Sequence, residues 1–177
     1  MKALVAFSTR KGASREMAER IAATFGEETD VIDLKRRRAP SPEAYDAVVL
    51  GGSIMAGQVP RKLRAYAARH ADALAEKRLG LFVCSLREDE AENVISGNFG
   101  EPLAAAATAT AWLGGRIIMS EHGPVVRAML RKVMETDEDV VNLRFEEADR
   151  FARKLASEQT EAASARSVVS TPPEATP

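Results

Sequence analysis

Short, nearly unbroken apolar runs alternate along this chain with longer stretches in which apolar side chains recur every third or fourth position. Lys2–Phe7 is the first such run, and a continuous run of this length is the pattern of a strand covered on both faces. It breaks at Ser8-Thr9-Arg10-Lys11-Gly12, and a helix is expected from about Ser14, with Met17, Ile21 and Phe25 on one face and Gly26 closing it. Val31–Leu34 predicts a second strand, Ala47–Leu50 a third that ends at Gly51-Gly52-Ser53, and Leu79–Val83 a fourth that ends at Cys84-Ser85. Between the last two, Pro60 suits the first turn of a helix running through Leu63, Tyr66 and Leu74. A polar loop with Asn98 and Gly100 is expected before an alanine-rich helix at Pro102–Ala107, and Gly115–Met119 is the expected fifth strand. Helices over 124–134 and 145–156 complete the pattern.

Strands alternating with helices imply parallel strands joined by right-handed crossovers, hence an α/β sandwich with helices on both faces of the sheet. From Ser157 the sequence turns to Ser, Thr, Pro, Ala and Glu with little to bury, so one domain over 1–156 and a disordered tail over 157–177 are expected. The formal net charge of −1 argues against nucleic acid as the principal partner. The lone cysteine, Cys84, forms neither an intrachain disulfide nor a zinc site by itself. Together with the absence of a charged-then-apolar leader at Met1–Ala6, it points to a reducing, cytoplasmic setting. No apolar run approaches the roughly 20 residues of a membrane crossing, so at most peripheral membrane contact is expected.

In a sheet of this kind ligands sit beyond the carboxyl ends of the strands, where strand order reverses. The loop after the first strand offers the hydroxyls of Ser8, Thr9 and Ser14, the backbone freedom of Gly12, and a helix start. Amides and hydroxyls converging there make an anion site. Neither Gly-x-Gly-x-x-Gly nor Gly-x-x-x-x-Gly-Lys-Ser/Thr occurs. A phospho-accepting receiver needs acids where this chain has Ser8/Thr9 and Gly51/Gly52. What survives is a mononucleotide held by hydroxyls and amides.

Three stretches carry a family resemblance: Phe7-Ser8-Thr9-Arg10-Lys11-Gly12-Ala13-Ser14-Arg15-Glu16, the run from Tyr45 to Gly57, and the closing helix with Phe151-Ala152. The chain resembles the flavodoxin fold family, and within it the branch containing the menaquinone-dependent protoporphyrinogen IX dehydrogenases. The resemblance implies a flavodoxin-like three-layer sandwich with a five-stranded parallel sheet in the order 2-1-3-4-5, and FMN as cofactor. It also implies that Thr9, Arg10, Gly12, Ala13 and Ser14 wrap the phosphate, with Ser8 beside them in the cofactor site and Lys11 either neutralising the phosphate or pointing to solvent. A second loop, Gly52-Ser53-Ile54-Met55-Ala56-Gly57, would run along one face of the flavin ring. A third, Cys84-Ser85-Leu86 through about Phe99-Gly100, would close over its other edge. Ile54 and Met55 stand where many flavodoxins present a stacking aromatic, leaving the ring open to a second flat molecule.

The resemblance thus implies an oxidoreductase in which FMN passes electrons from a reduced substrate, a porphyrinogen among the candidates, to a quinone. The alternative is a flavodoxin-type carrier that serves a redox-protein partner. No side chain stands out as an acid or base, since the flavin carries such chemistry. The dehydrogenases have a long basic and aromatic insertion before the helix that follows strand five. With that strand at Gly115–Met119, only Ser120-Glu121-His122-Gly123 precedes Pro124, so the insertion is expected to be missing. His70 is expected to be solvated, and His122 to lie close to a helix start. Lys35–Arg38 is either a solvated loop or a site for anionic lipid or propionates. For the apolar stripe Val125, Val126, Met129, Leu130 and Val133, core packing is the preferred reading over an interfacial helix.

Overall fold

The computed structural model describes residues 1–88, 91–136 and 138–167. Five parallel strands, β1 (Ala3–Ser8), β2 (Thr29–Asp33), β3 (Ala47–Ser53), β4 (Arg78–Cys84) and β5 (Ala109–Trp112), form one sheet in the order β2-β1-β3-β4-β5. The expected order is thereby borne out. The chain leaves β1 for β2 and then returns past β1 to β3, so strand order reverses between β1 and β3. The crevice at the carboxyl ends of those strands is where such a sheet binds its ligand.

Alternation along each strand divides the core into two layers. Leu4, Ala6, Val48, Leu50, Leu79 and Leu81 face one side. There they pack beneath α2 (Arg61–Arg69), α3 (Ala71–Ala75), α4 (Ala91–Phe99) and α5 (Glu101–Ala106). Val5, Phe7, Val49 and Phe82 face the other, under α1 (Ala13–Phe25) and α7 (Phe145–Ser167). The two helices are tied together by a bidentate pair from Arg20 to Asp149, with both N–O distances 2.7 Å.

The structure corrects several sequence expectations. The fifth strand of the sheet is Ala109–Trp112, and the segment assigned to that place instead forms β6 (Gly114–Ile117). β6 pairs antiparallel with β7 (Val140–Leu143), and α6 (Pro124–Met134) lies between them. The whole stretch 113–144 is therefore an excursion between the last sheet strand and the closing helix. The step from the last sheet strand to the closing helix is thus longer than the sequence pattern implied. A helix, α4, occupies the place of the expected polar loop, because Asn98 and Gly97 are absorbed into it. The helix after Pro60 breaks at His70 into α2 and α3. The closing helix continues past Ala156 to Ser167, and the rest of the expected tail, 168–177, lies outside the described residues.

Candidate functional site

Parallel register brings the carboxyl ends of three strands into one row. Ser8 of β1 lies beside Gly52 of β3, and Ser53 lies beside Cys84 of β4. The three loops singled out from the sequence thus open from adjacent strand ends.

In the first loop, Ser8 and Thr9 are buried at 3% and 7% exposure, whereas Arg10 and Lys11 are exposed. The Thr9 Oγ1 accepts the Gly12 N–H at 2.9 Å, so its own O–H remains to donate outward. Gly12 has φ 89°, the left-handed conformation that lets the chain turn directly into α1. No side chain caps α1 at Gly12, which leaves the positive end of the helix to a ligand. Ser14 is fully buried. Its hydroxyl lies 2.7 Å from that of Ser53 and also hydrogen-bonds the Cys84 thiol, joining the floors of all three loops. Burial pushes the Cys84 thiol up to about 12, against the opposing pull of the Ser14 hydroxyl, so it stays protonated and unreactive in the native state.

The second loop is a hairpin turn. Met55 and Gln58 exchange backbone hydrogen bonds at 2.9 and 3.0 Å, while Ala56 and Gly57 take φ values of 48° and 73°. Positive φ at both central residues is the type I′ geometry. Ile54 tucks against the core and donates its N–H to the Cys84 carbonyl at 2.9 Å, whereas Met55 at the tip is half exposed. In the third loop, Ser85 bonds the Arg87 carbonyl at 2.7 Å, and half-buried Leu86 follows it.

Three residues support these loops in ways not read from the sequence, which placed Asn98 only in an expected polar loop. Asn98 of α4 accepts the Val59 N–H at 2.9 Å and donates to the Gly57 carbonyl at 3.0 Å, bolting the second loop to a helix. Trp112 donates its indole N–H to the Ser85 carbonyl at 2.9 Å, fixing the third loop from the end of β5. Arg116 of β6 reaches back to the first loop, donating to the Lys11 carbonyl at 2.8 Å and pairing with Glu16. Lys11 in turn donates to the Glu121 carbonyl. No local signal marks these partners, because each is remote in sequence from the loop it serves. His122 sits in this excursion just before α6, with its backbone N–H bonded to the Met119 carbonyl. His70 packs at 4.7 Å from the Tyr66 ring, so it is less solvated than expected.

Replacing Asn98 by Ala should leave the N–H of buried Val59 without a partner, at a cost of about 1–3 kcal/mol. The expected result is a melting temperature lower by several degrees and weaker flavin retention. A thermal melt with an FMN titration would check both, and unchanged values would show that the second loop does not depend on this bolt.

A sequence profile of the flavodoxin domain family matches residues 4–142. The chain belongs to the flavodoxin-domain family. Among curated proteins, the protoporphyrinogen IX dehydrogenase [quinone] of Escherichia coli K12 is 27% identical over 172 residues, covering 88% of this chain and 95% of that protein. Oxidised flavodoxin 2 from Bacillus cereus superposes with a TM-score of 0.56 at 18% identity, covering 89% of this chain and 99% of the other. The flavodoxin of Streptococcus pneumoniae TIGR4 does so with a TM-score of 0.54 at 16% identity, covering 88% and 98%. At those identities the structural likeness establishes the fold alone. The cofactor of this flavodoxin domain is FMN. The residues present suit its phosphate: an uncapped helix start, an outward hydroxyl at Thr9, a left-handed glycine and two exposed cations. No group of His, Cys, Asp and Glu among the described residues is arranged to hold a metal ion.

Proposed function

We propose that this flavodoxin-domain protein is an FMN-dependent oxidoreductase that takes electrons from a bulky reduced substrate of the porphyrinogen class and passes them to a quinone. The observation that carries this reading is the excursion 113–144. It stands between β5 and the closing helix, where the dehydrogenase branch has its insertion, and the alignment to the Escherichia coli dehydrogenase runs through nearly all of both chains. The excursion sets Arg116, Arg127, Arg131, Lys132 and Arg144 against Glu121, Glu135, Asp137, Glu138 and Asp139, so its charges balance, and it carries no aromatic residue.

Within this reading the residues divide the work by position. Thr9 and the Gly12 turn hold the phosphate end, and the first turn of α1 supplies amide donors and its positive dipole end. Met55, half exposed on the I′ hairpin, borders the ring without stacking an aromatic over it, which leaves space for a second planar molecule. Arg10 and Lys11, exposed at the same mouth, suit a substrate that carries carboxylates. Bound FMN supplies the electron transfer itself, so no protein acid or base is required.

The test is anaerobic mixing of the FMN-loaded protein with protoporphyrinogen IX and a menaquinone or ubiquinone analogue. Porphyrin fluorescence should rise only when protein and quinone are both present. Absence of turnover with every quinone, joined to rapid electron exchange with a reductase or ferredoxin-type partner, would replace the enzyme by a carrier.

A further inference from the structure

Helix α6 buries none of its residues, although its sequence is amphipathic. At helical spacing Val125, Val126, Met129 and Val133 fall within about 100° of one another around the axis. They are 81%, 45%, 67% and 70% exposed, so the stripe expected in the core faces outward. Only Arg127, Leu130 and Met134, on the other side, are partly covered. A contiguous exposed apolar face on a helix of a water-soluble fold marks an interaction surface.

Charge identifies the partner. The helix carries Arg127, Arg131 and Lys132 and no carboxylate, with Lys132 next to Val125 in projection. Its start is fixed at the carboxyl end of the sheet, because Lys11 in the loop after β1 donates to the carbonyl of Glu121. The topology collects further exposed cations at that same end: Arg10 and Lys11 after β1, Lys35–Arg38 after β2, and Arg61 and Lys62 at the head of α2. The opposite end is mixed, with Glu27, Glu28, Glu43 and Asp46 in the loops that enter β2 and β3 and Lys2, Lys77 and Arg78 at the starts of β1 and β4. A net charge of −1 therefore conceals a cluster of exposed cations at the carboxyl end of the sheet.

We infer that α6 is an interfacial helix, which lays Val125, Val126, Met129 and Val133 into the surface of an anionic lipid bilayer while the surrounding cations meet the headgroups. Aliphatic residues on the buried side with cations beside them are the composition of such helices. Adjacent basic loops add attraction to anionic headgroups within a Debye length. Self-association through this face fits poorly, since a two-fold contact would set one carboxylate-free basic helix against its copy. A protein interface would favour aromatic anchors, and α6 has none. This docking turns the mouth of the flavin site toward the bilayer and does not depend on which electron acceptor is used.

The experiment is co-sedimentation of the FMN-loaded full chain with phosphatidylglycerol–phosphatidylcholine vesicles and with phosphatidylcholine vesicles, at low and high salt. The protein should bind the anionic vesicles, release at high salt, and leave neutral vesicles largely unbound. The triple variant Val125→Ser, Met129→Ser, Val133→Ser should lose at least about tenfold in vesicle affinity. Its flavin content and circular dichroism should stay unchanged, because none of the three side chains is buried. Failure of the unmodified protein to sediment with anionic vesicles, or equal binding by the triple variant, overturns the inference. Concentration-dependent dimers abolished by the variant would assign the face to a second copy and overturn it equally.

Discussion

A Gly12→Val protein should fold and yet hold no FMN. Gly12 sits at φ 89°, where a β-branched residue is a genuine outlier, and a single left-handed residue of ordinary chirality already costs about 1–2 kcal/mol. A Cβ there would stand 2.7 Å from the Arg116 guanidinium, the group that donates to the Lys11 carbonyl and ties the excursion to the loop. The side chain would therefore both bend the phosphate loop and displace its clamp. The sheet core lies elsewhere, so circular dichroism should be preserved while fluorescence titration with FMN shows at least about a hundredfold weaker binding. Retained tight binding would mean that the phosphate is held somewhere other than this turn.

Gly114→Val should have the next largest effect, confined to the excursion. Gly114 is at φ 70°, and a Cβ there would lie 1.7 Å from the Asn142 carbonyl oxygen. That oxygen belongs to the partner strand, so relief requires β6 and β7 to separate. Amide hydrogen exchange should show faster exchange across 114–117 and 140–143, with β1 to β4 unchanged. FMN affinity should also fall, because Arg116 is held over the first loop by β6. Unaltered protection of β6 and β7 would show that this pairing tolerates a side chain and that the predicted coupling is wrong.

The parts of the fold that were legible are those whose side chains fill the core by themselves. β1, β3 and β4 are buried on both faces and read as unbroken apolar runs. β5 was missed because its signal is carried by its neighbours. In the register of the sheet Ala109 lies beside Gly80, and a Cβ on Gly80 would come within 2.5 Å of Leu155 and 2.7 Å of Phe151. The bulk that fills this region comes from α7, so the strands beneath must be small, and an alanine-rich segment after an alanine-rich helix gives no strand pattern. Gly115–Met119 was the better-looking strand only because Ile117 and Ile118 are β-branched. The loops of the site were legible because strand ends and glycines announce them. Their supports, Asn98, Trp112 and Arg116, were not, since a hydrogen bond across dozens of residues leaves no local trace. Hydropathy alone could not settle the orientation of α6 either, because an apolar stripe looks the same whether it meets a core or faces outward.

The way α7 sits on the sheet bears on where this domain can be cut. The stretch matched by the family profile stops at 142, before α7 begins at Phe145. Yet Ala148, Phe151, Ala152 and Leu155 are buried in the layer that holds Val5, Phe82 and Ala109, and without them the part of that face not covered by α1 would be open to water. A fragment ending at 142 would thus carry every phosphate-loop residue and still lack the roof over β4 and β5. In this protein the boundary of sequence similarity and the boundary of cooperative folding are different places, and the second lies within the long final helix.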